Sequence, residues 1–314
     1  MRDLFTIGVL ILIALAARYI YNKYKQDQES CDSIEQYRLV SEYFVGDKTE
    51  TKPILWIHVT NNINARNWES FNSRNTTKLN QPYLYMTMRS IIDKCNQSFN
   101  VCLINDDAFR ILIPQWTTNM NGTPDPMKQR FRTLGLSKLL HLYGGLVVPP
   151  SFLCTKDLKK MYETGTAETG IFVVENINKS VTSFKSTYFP DTRFMGCKKQ
   201  NDKMFSYIQF QESIQFDSSA QPDFIGQCNL WWCNQHILRH VTVIDGKFIG
   251  TKHLDGTMVD LSDLLENKEL DIDSDSFGIY IPSDDVLIRT KYQWFARMSQ
   301  DQISKSQLSI AKLM

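Results

Sequence analysis

Short apolar runs, separated by polar stretches that carry glycine, proline or asparagine, set the rhythm of this chain. Ile54 to Val59 (ILWIHV) is too short for a helix and suits a first buried strand. After a loop rich in Asn and Arg, Pro82 starts a helix reaching about Cys95. Val101 to Asn105 then gives a second strand, ending at Asp106 and Asp107. A loop over 114–126 leads to the block from Arg130 to Cys154. There Leu134, Leu139, Leu142 and Tyr143 fall close to one helical stripe, Gly144 and Gly145 supply a C-cap, and Leu146 to Val148 form another short strand. Ile171 to Val174 is a further strand closing with Glu175. Asn201 caps a helix through about Glu212 with Met204, Phe205 and Ile208 inward, and Leu230 to His240 reads as the next helix. The spacing predicts a hairpin over Thr242 to Gly250, turning at Asp245-Gly246, and a last helix from Ser283 to about Met298.

Strands alternating with helices predict an α/β domain with a mainly parallel sheet covered by helices. In such sheets ligands sit at the carboxyl ends of the strands. Asp106 and Asp107 fall at one such end and Pro149 to Ser151 at another.

The N-terminus follows a different pattern. Leu4 to Tyr21 carries one charge, Arg18, and as a helix it is about 27 Å long, close to the thickness of a bilayer core. It is expected to be a single-pass transmembrane anchor. The competing reading is a cleaved signal peptide, because Ala14-Leu15-Ala16 supplies an A-x-A site. Arg18, Lys23 and Lys25 after the run favour a cytosolic body, whereas sequons at Asn75, Asn96, Asn121 and Asn178 would suit a lumenal one, so the side stays open. The expected organisation is an anchor over 1–22, a polar stalk over 23–52, a globular domain over 53–298 and a tail over 299–314 that is loose or a marginal helix.

Composition adds little beyond exclusions. A net charge of +1 gives no basic face for nucleic acid. The seven cysteines are odd in number and scattered without framework spacing, which fits reduced thiols. Cys228, Cys233, His236 and His240 have ligand types for zinc, yet three ligands within two turns of one helix is an awkward tetrahedral set. Asp271, Asp273 and Asp275 begin like a calcium loop, but Ser276 and Pro282 stand where that loop needs Gly and Glu. Asp106 and Asp107 suit a ribose or a cation, and suit an ordinary turn as well. Arg130, Arg132 and Lys138 have the charge to neutralise a diphosphate without metal, while solvation of the helix surface explains them equally.

Tyr143-Gly144-Gly145, followed by the strand Leu146 to Val148, resembles the DXD-type glycosyltransferases of family 32, which include yeast mannosyltransferases and capsular-polysaccharide enzymes. The strand at Ile54 to Val59, with His58, resembles the family's opening Ile-Ile-His strand. The resemblance implies a GT-A-like nucleotide-sugar fold. It also implies a substrate site near Asp106, Asp107, Tyr143, Gly144, Gly145 and Ser151, with a nucleotide sugar as donor and a glycan or protein as acceptor. In the family two aspartates hold a divalent cation, and their places fall on Pro149 and Ser151. The family's Asp-x-x-Arg pair falls on Thr133 and Leu136. Proline and serine do not replace two carboxylates around a hard cation. Two readings follow: a membrane-anchored hexosyltransferase working without the usual metal site, or an inactive pseudoenzyme using the same fold as a binding or structural module.

Overall fold

The computed structural model describes residues 52–60, 81–179, 183, 186–216 and 223–314. The expected anchor and nearly all of the expected stalk, together with Asn75, lie outside the described residues. Among the described residues, no helix is long and apolar enough to cross a membrane.

From Thr51 onward the chain is one compact unit. β1 (Ile54–His58) is buried along its whole length, as a strand covered on both faces must be. α1 (Tyr83–Cys95) follows, starting immediately after Pro82, and packs Leu84, Met88 and Ile91 inward at helical spacing. β2 (Asn100–Ile104) returns parallel to β1. A one-turn helix, α2 (Ala108–Leu112), precedes the long α3 (Met127–Tyr143). β3 (Gly145–Val147), β4 (Phe152–Cys154), α4 (Lys159–Thr166), β5 (Ile171–Ile177) and β6 (Tyr188–Cys197) come next. α5 (Asp202–Ile214) and α6 (Phe224–Ile237) lead to β7 (Thr242–Ile244). The remainder holds α7 (Leu261–Leu265), β8 (Gly278–Tyr280), α8 (Ser283–Ile288), α9 (Gln293–Arg297) and α10 (Gln300–Ser304).

The main sheet has six strands in the order β2-β1-β3-β6-β5-β7. β1 pairs parallel with both β2 and β3, β5 pairs parallel with β7, and β6 alone runs against its neighbours. A mostly parallel α/β sheet is therefore present. A two-stranded antiparallel ribbon, β4 with β8, flanks it. Because β2 lies on one side of β1 and β3 on the other, the chain order reverses at β1. A reversal of this kind opens a crevice at the carboxyl ends of the strands.

Several expectations are corrected. Thr242 to Gly250 is not a hairpin. β7 instead adds in parallel to the free edge of β5, and the Asp245 side chain accepts from Lys247 N at 2.9 Å to cap a 3-10 turn over Gly246–Ile249. The helix expected from Ser283 to Met298 breaks at Arg289, whose extended backbone separates α8 from the 3-10 turn before α9. Phe205 is exposed on α5, whereas Met204 and Ile208 face inward. The stretch expected as a loose tail is seated, with Ile303 and Ile310 fully buried in the main core.

β6 has no counterpart among the expected strands. Its sequence, YFPDTRFMGC, mixes proline, glycine and two opposite charges in a way that reads as loop. The strand is held by pairing with β3 on one side and β5 on the other, and within it Asp191 and Arg193 neutralise each other. A bulge between Val173 and Val174 of β5 adjusts the register beside them.

Candidate functional site

At the carboxyl end of β1, His58 is the last strand residue and is buried. It pairs with Ile104, the last residue of β2, and two residues further on the chain delivers Asp106. The Asp106 carboxylate contacts His58 Nε2 at 3.0 Å. On its other side it receives a two-pronged Arg132 guanidinium, with Nε to Oδ1 at 2.8 Å and a terminal nitrogen to Oδ2 at 2.7 Å. One aspartate thus ties β1, the end of β2 and α3 together through bidentate, charge-assisted bonds. The His58 ring also stacks on Phe109 at 5.4 Å with 6° between the planes.

These contacts fix the protonation of the cluster. Burial pushes the Asp106 carboxyl up, but the bonds from Arg132 and His58 outweigh it and hold the group well below the usual carboxylate range. Burial dominates at His58 and lowers its pKa, with Asp106 opposing the shift in part. Near neutrality the cluster is therefore a carboxylate, a guanidinium and a neutral imidazole.

A second charged cluster stands at the same edge, on β5 and β6. Buried Asp191 accepts from Asn176 Nδ2 at 3.0 Å and from Arg193 Nε at 2.8 Å and its terminal nitrogen at 2.7 Å. The Arg193 guanidinium continues to Asp284 at 3.2 Å and lies 5.6 Å from the Tyr280 ring centroid. Burial raises the Asp191 carboxyl, and Arg193 together with Asn176 more than reverses this. Further along the edge, Lys252 joins Glu175 and Asp245, and Lys179 meets Asp285 at 2.9 Å. The sequence signal for the second cluster was a pair of opposite charges two residues apart, Asp191 and Arg193.

The sheet order places β3, and the Pro149–Ser151 segment that follows it, between the strands that carry the two clusters. Val147 pairs with Trp56 on one side and Met195 on the other. Val148 N still donates to Trp56 O at 3.0 Å, so the chain leaves β3 beside the carboxyl end of β1. Pro149 is buried, and the Pro150 carbonyl accepts from Thr87 Oγ1 at 2.6 Å. Ser151 is buried too, and its carbonyl accepts from Ile281 N at 3.1 Å.

Other residues singled out in the sequence have structural employment. Tyr143, Gly144 and Gly145 lie at the amino ends of β1 and β3, not at the mouth. Tyr143 donates its hydroxyl to Leu112 O at 2.8 Å, and Gly144 O accepts from Trp56 Nε1 at 3.0 Å. Gly145 has φ +108°, and a Cβ there would stand 2.1 Å from Ile54 O. Asp107 is exposed at the start of α2 and does not join Asp106. Arg130 is buried and lies over the Phe224 ring at 4.7 Å, while Lys138 pairs with Glu212 at 2.7 Å, so neither serves the mouth. Asn178 is buried and donates to Ser186 O at 3.0 Å, which leaves no room for a glycan. Asn96 and Asn121 are exposed.

A divalent cation does not fit this donor set. Such an ion needs several free oxygen ligands, preferably carboxylates. Pro149 and Ser151 carry no carboxylate, and Asp106, Asp191, Glu175 and Asp285 are each engaged by a cationic side chain. Among the described residues, no group of three or more His, Cys, Asp and Glu is arranged to hold a metal ion. Cys228 is buried, His236 Nδ1 meets Val241 O at 3.2 Å and His240 lies against Lys203 at 3.3 Å, so the helical zinc spacing does not converge. No family model matches the chain, and no curated protein matches it.

Proposed function

We propose that this is a glycosyltransferase-type α/β domain that has lost metal-dependent sugar transfer and acts as a membrane-associated binding module. One observation carries the reading. Where the resembled family keeps two aspartates for a cation, this chain has Pro149 and Ser151, and Asp106, the acid that follows β2, is committed to Arg132 and His58. A carboxylate already neutralised by a two-pronged guanidinium has little left to offer a metal. The crevice at the reversal in strand order still provides a place for a ligand, and the apolar run from Leu4 to Tyr21 supports attachment to a membrane.

The test uses the full-length chain in detergent, incubated with UDP- and GDP-sugars with and without manganese. The expected result is no release of nucleoside diphosphate, and thermal stability that does not respond to manganese in the presence of nucleotide. Manganese-dependent release of UDP or GDP would overturn the proposal.

A second reading, transfer without metal, is favoured by the position of Arg193. Its guanidinium is fixed by Asp191 on β6, the strand beside β3, and a leaving diphosphate would have to compete with Asp191 and Asp284 for it. Nucleotide release that ignores manganese and disappears in Arg193→Met would establish this second reading over the first.

A further inference from the structure

Cys95 is the last residue of α1 and Cys154 the last of β4, and their sulfurs are 3.9 Å apart. Both side chains are buried, and both are free thiols. Their surroundings hold the two backbones in place: Cys154 N donates to Ser90 Oγ at 2.9 Å, Thr87 Oγ1 donates to Pro150 O at 2.6 Å, and Ser98 Oγ donates to Asp157. The pair therefore sits at the end of a seam that binds α1 to the segment following the degenerate motif.

We propose that Cys95 and Cys154 form an intramolecular disulfide, a native cross-link between α1 and β4, when the chain folds in contact with a small-molecule disulfide. A disulfide has its sulfurs about 2.05 Å apart, so closure from 3.9 Å needs about 2 Å of approach between the two sulfurs. Besides its contact with Cys95, the Cys154 thiol gives up its donation to Lys156 O at 3.0 Å. The loop closed spans 59 positions, long enough for a cross-link to restrict the unfolded chain substantially.

The chemistry is thiol–disulfide exchange. The Cys95 thiolate attacks one sulfur of the reagent disulfide, forming a mixed disulfide and releasing one reagent thiolate. The Cys154 thiolate then attacks the Cys95 sulfur, closing the protein disulfide and releasing the second. The two protons from the cysteines pass to the two reagent thiols, and the reagent is reduced by the two electrons the protein loses. Exchange through Cys154 first, followed by attack from Cys95, gives the same product. Burial of both thiols means that the exchange takes place before β4 is fully seated on α1.

The decisive measurement is a disulfide map of the full-length chain. The protein is refolded in mixtures of oxidised and reduced glutathione, quenched in acid, alkylated with N-ethylmaleimide under denaturing conditions, digested and analysed by mass spectrometry. The expected product is a peptide pair joined through Cys95 and Cys154, lighter by two hydrogens than the free peptides, with a thermal midpoint several degrees above that of the reduced chain. Cys154→Ala should lose both the linked pair and the rise. Full alkylation of both cysteines at the most oxidising mixture would overturn the proposal, as would dominant pairing of either with another cysteine, or a linked chain no more stable than the reduced one. The same map on chain purified without reductant from an oxidising secretory host, with no refolding step, tests the same pairing independently: the linked pair supports the proposal and full alkylation of both cysteines overturns it.

Discussion

Arg132 is almost wholly buried, and the charge that justifies its position is the Asp106 carboxylate. Replacing Asp106 by Asn keeps the shape and removes the counter-charge, leaving a guanidinium in a poorly solvated place. Loss of one partner of a buried pair costs about 3–5 kcal/mol, and because Asp106 retains some exposure, we expect Asp106→Asn to cost about 2–3 kcal/mol in urea unfolding. The neighbouring imidazole adds a pH dependence with a definite sign. The pKa of His58 is lower in the folded chain than the ordinary value of about 6.5, so the unfolded chain binds the extra proton more readily. Its contribution is present above about pH 6.5 and is lost as the pH falls below that toward the folded value. Asp106, also depressed, loses its contribution only below the ordinary carboxylate range near pH 4. Stability measured from pH 7 to 5 should therefore decline in the natural chain and decline less in His58→Asn. Equal slopes would show that His58 does not titrate in this interval.

Among the elements, the short strand after Tyr143-Gly144-Gly145 shows what a motif contributes to folding. The two glycines read in sequence as a helix stop, and Gly144, with φ +74°, does end α3. Gly145 has a different task. It is already in β3, and its missing Cβ lets the backbone of β1 pass at a distance that a side chain would block. Gly145→Ala combines a positive φ with a backbone clash against Ile54 O, and should cost more than about 3 kcal/mol or abolish soluble expression. Asn201→Ala is the milder counterpart: the side chain accepts from Lys203 N and Met204 N at the start of α5, and its loss should cost about 1 kcal/mol. Local signals of this type, caps, glycines and short apolar runs, made β1, α1, β2, α3, β3, β5 and α5 legible. β6 and β7 were not legible, because their reasons are long-range. YFPDTRFMGC becomes a strand only between β3 and β5, both distant enough in sequence to leave no local trace, and Asp245-Gly246 gives a hairpin signal that the open edge of β5 overrides. The same division holds at the mouth. Asp106 was visible as an acid after a strand, but that Arg132 and His58 occupy it depends on the docking of α3 beside β1 and β2.

Over the whole molecule, the C-terminal residues show how burial can run against composition. The stretch beyond Met298 is rich in Ser, Gln and Lys, yet it places two isoleucines, Ile303 and Ile310, in the same core as Tyr83 and Phe295. Polar residues fasten it as well. Ser309 N donates to Glu266 O at 2.8 Å, Ser309 Oγ accepts from Lys268 N at 3.0 Å, and Lys312 Nζ meets Asn267 Oδ1 at 2.7 Å. The capping box of α10, with Ser299 and Gln302 bonded reciprocally, sets the direction in which Ile303 enters. Burying two isoleucine side chains contributes about 3–6 kcal/mol, a large share of the stability of an ordinary domain. Ile303→Ala and Ile310→Ala should each cost about 2–5 kcal/mol, and a chain ending at Met298 should lose at least as much as the larger of the two. Urea unfolding followed by tryptophan fluorescence measures all three. If the truncated chain unfolds at the same urea concentration as the full one, the segment is a passive cover and the core closes without it. If it unfolds much earlier, residues 299–314 belong to the domain, and the packing of α1 and β4 depends on them through the core they share.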